Sequence, residues 1–207
     1  MDLQHPHLPV LPHLHGMLLS LYFHDKPLQN ILELGLGGGA LQRFFAHHFP
    51  EAQCHSIELD KRVIENYLNY FANGVESPQA PITQANAQLA IKQHTNIDLL
   101  FVDLFSGNAP PSFINDPQFY KDCFNTLSEQ GLIIVNLLPV GEIQTLDVED
   151  LLRATGGFSP VIFSVPKYKN RILIAANRPL GMLSLTPKLQ KFCQQHNIDL
   201  MNLIQLK

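Results

Sequence analysis

The sequence has no tryptophan and only three cysteines in 207 residues. Cys54, Cys123 and Cys193 are far apart and odd in number, which excludes a disulfide framework and any standard zinc-ligand spacing. Reduced thiols in a cytoplasmic protein are expected. Basic residues are also scarce. Lys and Arg number 14 against 18 Asp and Glu, a net charge of −4. No basic field therefore points to nucleic acid or to an anionic membrane. No apolar run reaches the ~18 residues of a spanning helix. The start lacks the basic residues and small-residue cleavage site of a secretory signal. Internal repeats and low-complexity tracts are absent, so nothing marks a second domain.

What is present is apolar and periodic. Apolar residues make up 45% of the chain and charged residues 15%, enough for one domain with a substantial core. Residues 1–15 hold four His and three Pro and read as an irregular arm. A domain over 16–207 follows, opening with a short apolar helix at 16–23. Continuous apolar strands alternate with amphipathic helices. Strands are expected at the start of the segment 28–49, over 53–60, at the start of 81–94 (followed there by a turn and a helix), and over 97–104 and 132–138, with a closing hairpin over 160–178 around "PKYKN". Helices are expected after the glycine turn and at 61–72, 116–131, 145–157 and 186–197. The class is α/β: three layers, Rossmann-like, with a seven-stranded, mostly parallel sheet and an antiparallel C-terminal hairpin.

The first strand runs into Glu33-Leu34-Gly35-Leu36-Gly37-Gly38-Gly39. Ligands of open parallel sheets sit beyond the carboxyl ends of the strands. Residues without side chains there let backbone approach a nucleoside. Glu58 ends the next strand, about 20 residues on, where an acid can accept from two ribose hydroxyls. Gly35, Gly37 and Ala40 also satisfy the dinucleotide pattern, so the loop alone leaves a nicotinamide cofactor open. At the end of the strongest strand lies "VDLFSGNAPP", with Asp103 as a candidate site acid, a cofactor ligand or a turn cap.

The segments "ILELGLGGGALQRF", "SIELDKRVIENYLNYF", "ANAQLAI", "IDLLFVDLFSGNAPPSF", "DPQFYKDCFNTLSEQGLIIVNL" and "NRILIAANR" together resemble the spermidine synthase family. That family is a branch of the class I S-adenosylmethionine-dependent methyltransferase superfamily, and the similarity runs from about Leu14 to Arg178. The resemblance implies a cofactor site for S-adenosylmethionine or its decarboxylated form. Gly35, Gly37, Gly38 and Gly39 would form the loop, Glu33 would hold the methionine amine and Glu58 the ribose. Asn86 and Ala87 would lie at the adenine. Asp103 matches the first acid of a D-x-x-D signature beside the reacting amine and is the candidate catalytic residue.

The departures are specific. Gly38 stands where the family loop usually carries an Asp, and Ser106 replaces the second acid of the signature. Gly16 stands for an upstream Glu, and the family's N-terminal β-strand domain has no counterpart in the roughly 15 residues before the similarity. A diamine enters as a dication, which needs carboxylates to compensate it out of water. With those acids missing, methyl transfer to an unknown small acceptor is slightly favoured over aminopropyl transfer. Polyamine aminopropyl transfer is the alternative, and a non-catalytic nucleoside- or partner-binding module is a third reading. An open, acid-lined cavity beside Asp103 would favour an enzyme; a cavity plugged by Phe105, Pro110 or the arm would favour the module. A homodimer is compatible with the resemblance.

The HxH pairs His5/His7 and His13/His15 suggest metal, but the arm offers them no evident framework, and no metal site is expected. His15 falls in the family's segment at the active-site mouth. His47 and His48 suit the C-terminus of a helix. Tyr67, Tyr70, Phe71, Phe119 and Phe124 read as core rather than an aromatic cage.

Overall fold

The computed structural model describes residues 1–72, 81–105 and 110–206. The sheet is built from β1 (Asn30–Leu34), β2 (Gln53–Glu58), β3 (Ile82–Gln84), β4 (Ile97–Val102), β5 (Leu127–Leu137), β6 (Val161–Ser164), β7 (Arg171–Ala175) and β8 (Ile204–Leu206). Their order is β3-β2-β1-β4-β5-β7-β6-β8. The first five strands are mutually parallel, and β7, β6 and β8 pair antiparallel. Every residue of β4 is buried, as a strand covered by helices on both faces must be. The order reverses between β1 and β4, so the switch point of the sheet opens beside the ends of these two strands.

Helices α1 (Pro12–Leu18), α2 (Ala40–His48), α3 (Lys61–Tyr70), α4 (Ala87–Ala90), α5 (Pro117–Thr126), α6 (Glu142–Gly156) and α7 (Pro187–Gln195) cover the sheet. Their starts are written in the sequence. The side chains of Asp60, Asn86, Asp116 and Thr186 accept from backbone N–H groups at the starts of α3, α4, α5 and α7, satisfying donors that have no partner within the helix. One apolar cluster joins α1, α2 and α7 to one sheet face, with Met17, Phe44, Phe45 and Phe101 at its centre. The other joins α5 and α6 to the opposite face around Phe119, Tyr120 and Leu152.

Four features differ from the sequence expectation. The sheet has eight strands rather than seven, because Ile204–Leu206 pairs with Ile162–Ser164; a three-residue strand is too short to carry a period. The helix expected to end at Gly131 stops at Thr126, and Leu127–Gln130 already belong to β5. Gly131 instead serves a bulge in the β4–β5 pairing, where a Cβ would lie 2.5 Å from the Ile97 carbonyl oxygen. The helix expected from residue 16 begins at Pro12, so the last four residues assigned to the arm are helical; Pro at the first turn costs no hydrogen bond. Tyr70, expected in the core, is 70% exposed at the end of α3, while Tyr67, Phe119 and Phe124 are buried.

Candidate active site

A cavity of about 650 Å³ opens at the switch point, lined by Gly35, Gly37, Glu58, Asn86, Ala87 and Asp103 among others. Six of the residues singled out in the sequence therefore meet in one place. Each arrives by a separate strand end: β1 delivers the glycines, β2 Glu58, β3 the Asn86–Ala87 pair and β4 Asp103.

The glycines differ in what they do. Gly35 has φ +98, and a Cβ there would sit 2.1 Å from the Asp103 carbonyl oxygen. Its N–H donates to the Ile57 carbonyl at 2.8 Å, so Gly35 locks the ends of three adjacent strands together. Gly39 has φ +65 and would drive a Cβ to 2.0 Å from the Tyr67 ring. Gly37 and Gly38 face open space, with nothing within 4 Å of an added Cβ. Gly38 and Gly39 are not on the cavity wall among the described residues. Gly39 serves packing of the loop on α3.

Glu58 is fixed by two backbone amides. Leu36 N–H donates to one carboxylate oxygen at 3.1 Å and Asp60 N–H to the other at 3.0 Å. Each oxygen keeps a lone pair for a ligand. Leu59 follows it, 65% exposed and on the cavity wall, an apolar surface left open among the described residues. Asn86 caps α4, its Oδ1 accepting from Gln88 N–H at 2.8 Å.

Asp103 has a support that no strand pattern reveals. Asn170 Nδ2 donates to Asn136 Oδ1 at 2.9 Å, and Asn136 Nδ2 donates to Asp103 Oδ1 at 2.7 Å. The three residues come from the end of β4, from β5 and from the β6–β7 connection. An Asn inside the apolar run "LIIVNLL" was the available signal, since a buried amide needs partners. Burial pushes the Asp103 carboxyl up to about 6, and the Asn136 amide pulls the other way. No cation compensates it: among the described residues the cavity wall carries Glu58, Asp60 and Asp103 but no Lys, Arg or His. Asp60 is already paired with Arg62 at 2.6 Å.

Glu33 stands apart. Its side chain is 2% exposed and absent from the cavity wall among the described residues. It accepts from the Ser56 hydroxyl, which in turn accepts from Gln42 Nε2 at 2.5 Å. Burial pushes its carboxyl up to about 8, and the Ser56 hydroxyl pulls the other way. Its carboxyl faces Ser56 in the core, and among the described residues it does not reach the cavity wall. Arg43, which the sequence did not mark, is buried behind the loop. Its Nη1 donates to the Gly38 carbonyl at 2.5 Å and its Nε to the Pro6 carbonyl at 2.9 Å.

Two further expectations meet a physical answer. His15 is buried at the opposite end of α1's packing: its Nδ1 accepts from Asp199 N–H at 3.1 Å, and it does not reach the cavity wall. Gly16 has no room for an acid, because a Cβ would lie 2.9 Å from both Ile172 and Leu203 side chains. Ser106 lies outside the described residues.

Residues 13–178 match the family model for the spermine/spermidine synthase domain. The polyamine aminopropyltransferase of Neisseria meningitidis serogroup A is 31% identical over 138 residues, covering 66% of this chain and 52% of that protein. The Vibrio vulnificus polyamine aminopropyltransferase is 26% identical over 192 residues, covering 89% of this chain and 60% of that one. The chain thus spans only about half to three-fifths of the length of these relatives. In structure, a probable spermidine synthase from Corynebacterium glutamicum superposes with a TM-score of 0.76 at 18% identity, covering 94% of this chain and 74% of that one. Human methyltransferase-like protein 13, in complex with SAH, superposes with a TM-score of 0.77 at 22% identity over 90% and 91% of the two chains. At these identities the structures speak for the fold, a Rossmann-like methyltransferase architecture. With four-fifths of the sequence inside the family model, and with the glycine loop, Glu58 and Asp103 drawn to one cavity, the chain belongs to the spermine/spermidine synthase family.

Proposed function

We propose that this protein is a transferase that moves an aminopropyl group from decarboxylated S-adenosylmethionine to a small amine. The observation that carries this reading is the charge of the cavity wall: with Asp60 paired to Arg62, Glu58 and Asp103 remain as carboxylates with no cation among the described lining residues, and Asp103 is compensated only by an amide. Such a wall favours a sulfonium and an ammonium over any anionic ligand. The cavity is of the size that takes a nucleoside-sized ligand.

In this reading Glu58 accepts from the ribose hydroxyls with the lone pairs its amide partners leave free. Gly35 and Gly37 let backbone approach the ligand, and Leu59 and Ala87 give apolar cover to a planar base. When bound, the sulfonium supplies a carbon activated for attack and a neutral thioether as leaving group. Asp103 takes the proton that an ammonium acceptor must shed before its nitrogen becomes a nucleophile. An acid titrating near 6 is still mostly ionised at pH 7, yet basic enough to accept a proton. The Asn170–Asn136 pair keeps its carboxylate turned in one direction.

Methyl transfer, the slight preference drawn from sequence, is set aside. It rested on the acids missing at Gly38 and Ser106, with Glu33 as a partner for an intact methionine amine; Glu33 lies in the core bonded to Ser56, off the cavity wall among the described residues. The relatives named above are called aminopropyltransferases, and the methyltransferase-like neighbour bears on fold alone. The module reading is disfavoured because the cavity is open: the arm packs on Arg43 behind the loop, and Phe105 lines the wall 43% exposed without filling it.

The test is calorimetric and chemical. S-adenosylmethionine, its decarboxylated form and methylthioadenosine are titrated into wild type and Glu58→Gln. Mono- and diamines are then offered with the decarboxylated donor, and products are read by mass spectrometry. Preference for the decarboxylated donor and an aminopropylated amine are expected. A methylated product, or equal binding of both donors, refutes aminopropyl transfer. No binding of any of the three refutes the nucleoside site.

A further inference from the structure

The N-terminal arm is not irregular. The Asp2 side chain accepts from Gln4 N–H at 2.8 Å and His5 N–H at 3.0 Å, and Leu8 N–H donates to the His5 carbonyl at 3.1 Å. Arg43 then grips the Pro6 carbonyl at 2.9 Å. This turn lays His7 on the C-terminal end of α2, against His47 and His48. One ligating nitrogen from each of the three lies within 4.8 Å of the others. The His7 and His47 rings stack with centroids 3.7 Å apart, and His47 and His48 meet edge-on at 4.9 Å.

We propose that His7, His47 and His48 form a site for a divalent transition metal, of the zinc, nickel or copper class, that clamps the arm to α2. Three imidazoles leave a fourth position for water or for His5, whose ring lies 6.3 Å from that of His7. Among the described residues none of the three rings makes a hydrogen bond, and His48 Nε2 is buried without a partner. Their lone pairs are therefore uncommitted. The carbonyl end of α2 faces the cluster, and that end of a helix attracts a cation.

Binding requires a contraction that the residues allow. Ligand nitrogens around a tetrahedral ion sit about 3.3 Å apart, and stacked parallel rings cannot both aim at one ion. His47 is exposed and His7 partly so, so a turn of the His47 ring brings its nitrogen round. His48 is held in place by Phe44 at 4.5 Å and His196 at 5.3 Å and gives the fixed corner. The clamp would reach the glycine loop through one residue, because Arg43 joins the Pro6 carbonyl to that of Gly38.

The experiment uses untagged protein and the ions alone. Zn²⁺ is titrated by calorimetry, Co²⁺ is followed by its visible absorption, and hydrogen exchange is measured over residues 1–10 with and without Zn²⁺. Expected are one equivalent bound, the intense absorption of a tetrahedral Co²⁺ site, and slowed exchange in the arm. His7→Ala and His47→Ala alter open positions, so the fold survives, and each weakens binding by about tenfold or more. His94→Ala, whose ring meets His55 and is not part of the cluster, leaves it unchanged. Binding that is absent, spread over several weak equivalents, equally reduced by His94→Ala, or without effect on arm exchange overturns the proposal.

Discussion

Replacing Asn136 with Leu tests how Asp103 is poised. The side chains are close in size, so the change removes the 2.7 Å hydrogen bond to Asp103 without opening a cavity. A hydrogen bond to an ionised group is worth about 1.5–3 kcal/mol, or about one to two pKa units at 1.36 kcal/mol each. Asp103 titrates at about 6 in the wild type, so at pH 7 roughly nine-tenths of it is ionised. In the variant the carboxyl would titrate at about 7 to 8, leaving about half to one-tenth ionised at pH 7. Turnover at pH 7 should fall by about two- to tenfold from this cause alone. Raising the pH to 9 should restore most of it. The assay is a pH–rate profile of methylthioadenosine release from the decarboxylated donor, with the acid limb displaced upward in the variant. A uniform loss at every pH, with the acid limb in place, would refute the reasoning: Asn136 would then act by packing, and Asp103 would not be the group whose ionisation gates the reaction.

The buried Glu33 makes a separate prediction. Burial holds its carboxyl at about 8 when folded, against an ordinary value of 4.5 for an exposed Glu. Between those values the native state holds a proton that the unfolded chain has lost, so stability declines as pH rises through this window. The slope from one such group is at most about 1.4 kcal/mol per pH unit. Denaturant unfolding at intervals from pH 4.5 to 8.5 should show that decline in the wild type and lose it in Glu33→Gln; an unchanged slope would place the proton elsewhere. Gly35→Ala should cost more than about 3 kcal/mol or prevent folding, because its Cβ meets the Asp103 carbonyl at 2.1 Å, whereas Gly38→Ala should be tolerated in open space. Thermal melts of the two variants separate these outcomes. Glu58→Gln should weaken methylthioadenosine binding by about ten- to a hundredfold by calorimetry. Its melting temperature should change little, since the amide oxygen can still accept from one of the two backbone N–H groups.

Much of the chain's architecture follows from local chemistry that a sequence carries. Apolar runs such as Ile97–Val102 can only be strands covered on both faces. The helices expected from 61, 116 and 186 begin at side-chain caps, Asp60, Asp116 and Thr186, because each cap acts over two or three residues. The glycine loop, Glu58 and Asp103 were legible as strand-end residues of a parallel sheet, whose carboxyl ends gather at one edge. What could not be read locally was a relation between distant segments. Tertiary packing turned Gly131 from a helix stop into a bulge beside Ile97, 34 residues away in the chain. It separated Glu33, sealed behind Ser56, from Asp103, which two amides hold at the cavity. Both are acids at the ends of neighbouring strands, and the partners brought by β2 on one side and β5 on the other place one in the core beside Ser56 and the other at the cavity. The arm gives the same lesson: its histidines are visible at once, but the turn at Asp2 and the grip of Arg43 place His7 against His47 and His48. The family, the fold and the strand ends that carry the candidate site were legible in the sequence; which of the acids there is sealed in the core and which faces the cavity was decided by burial and long-range hydrogen bonds between distant segments.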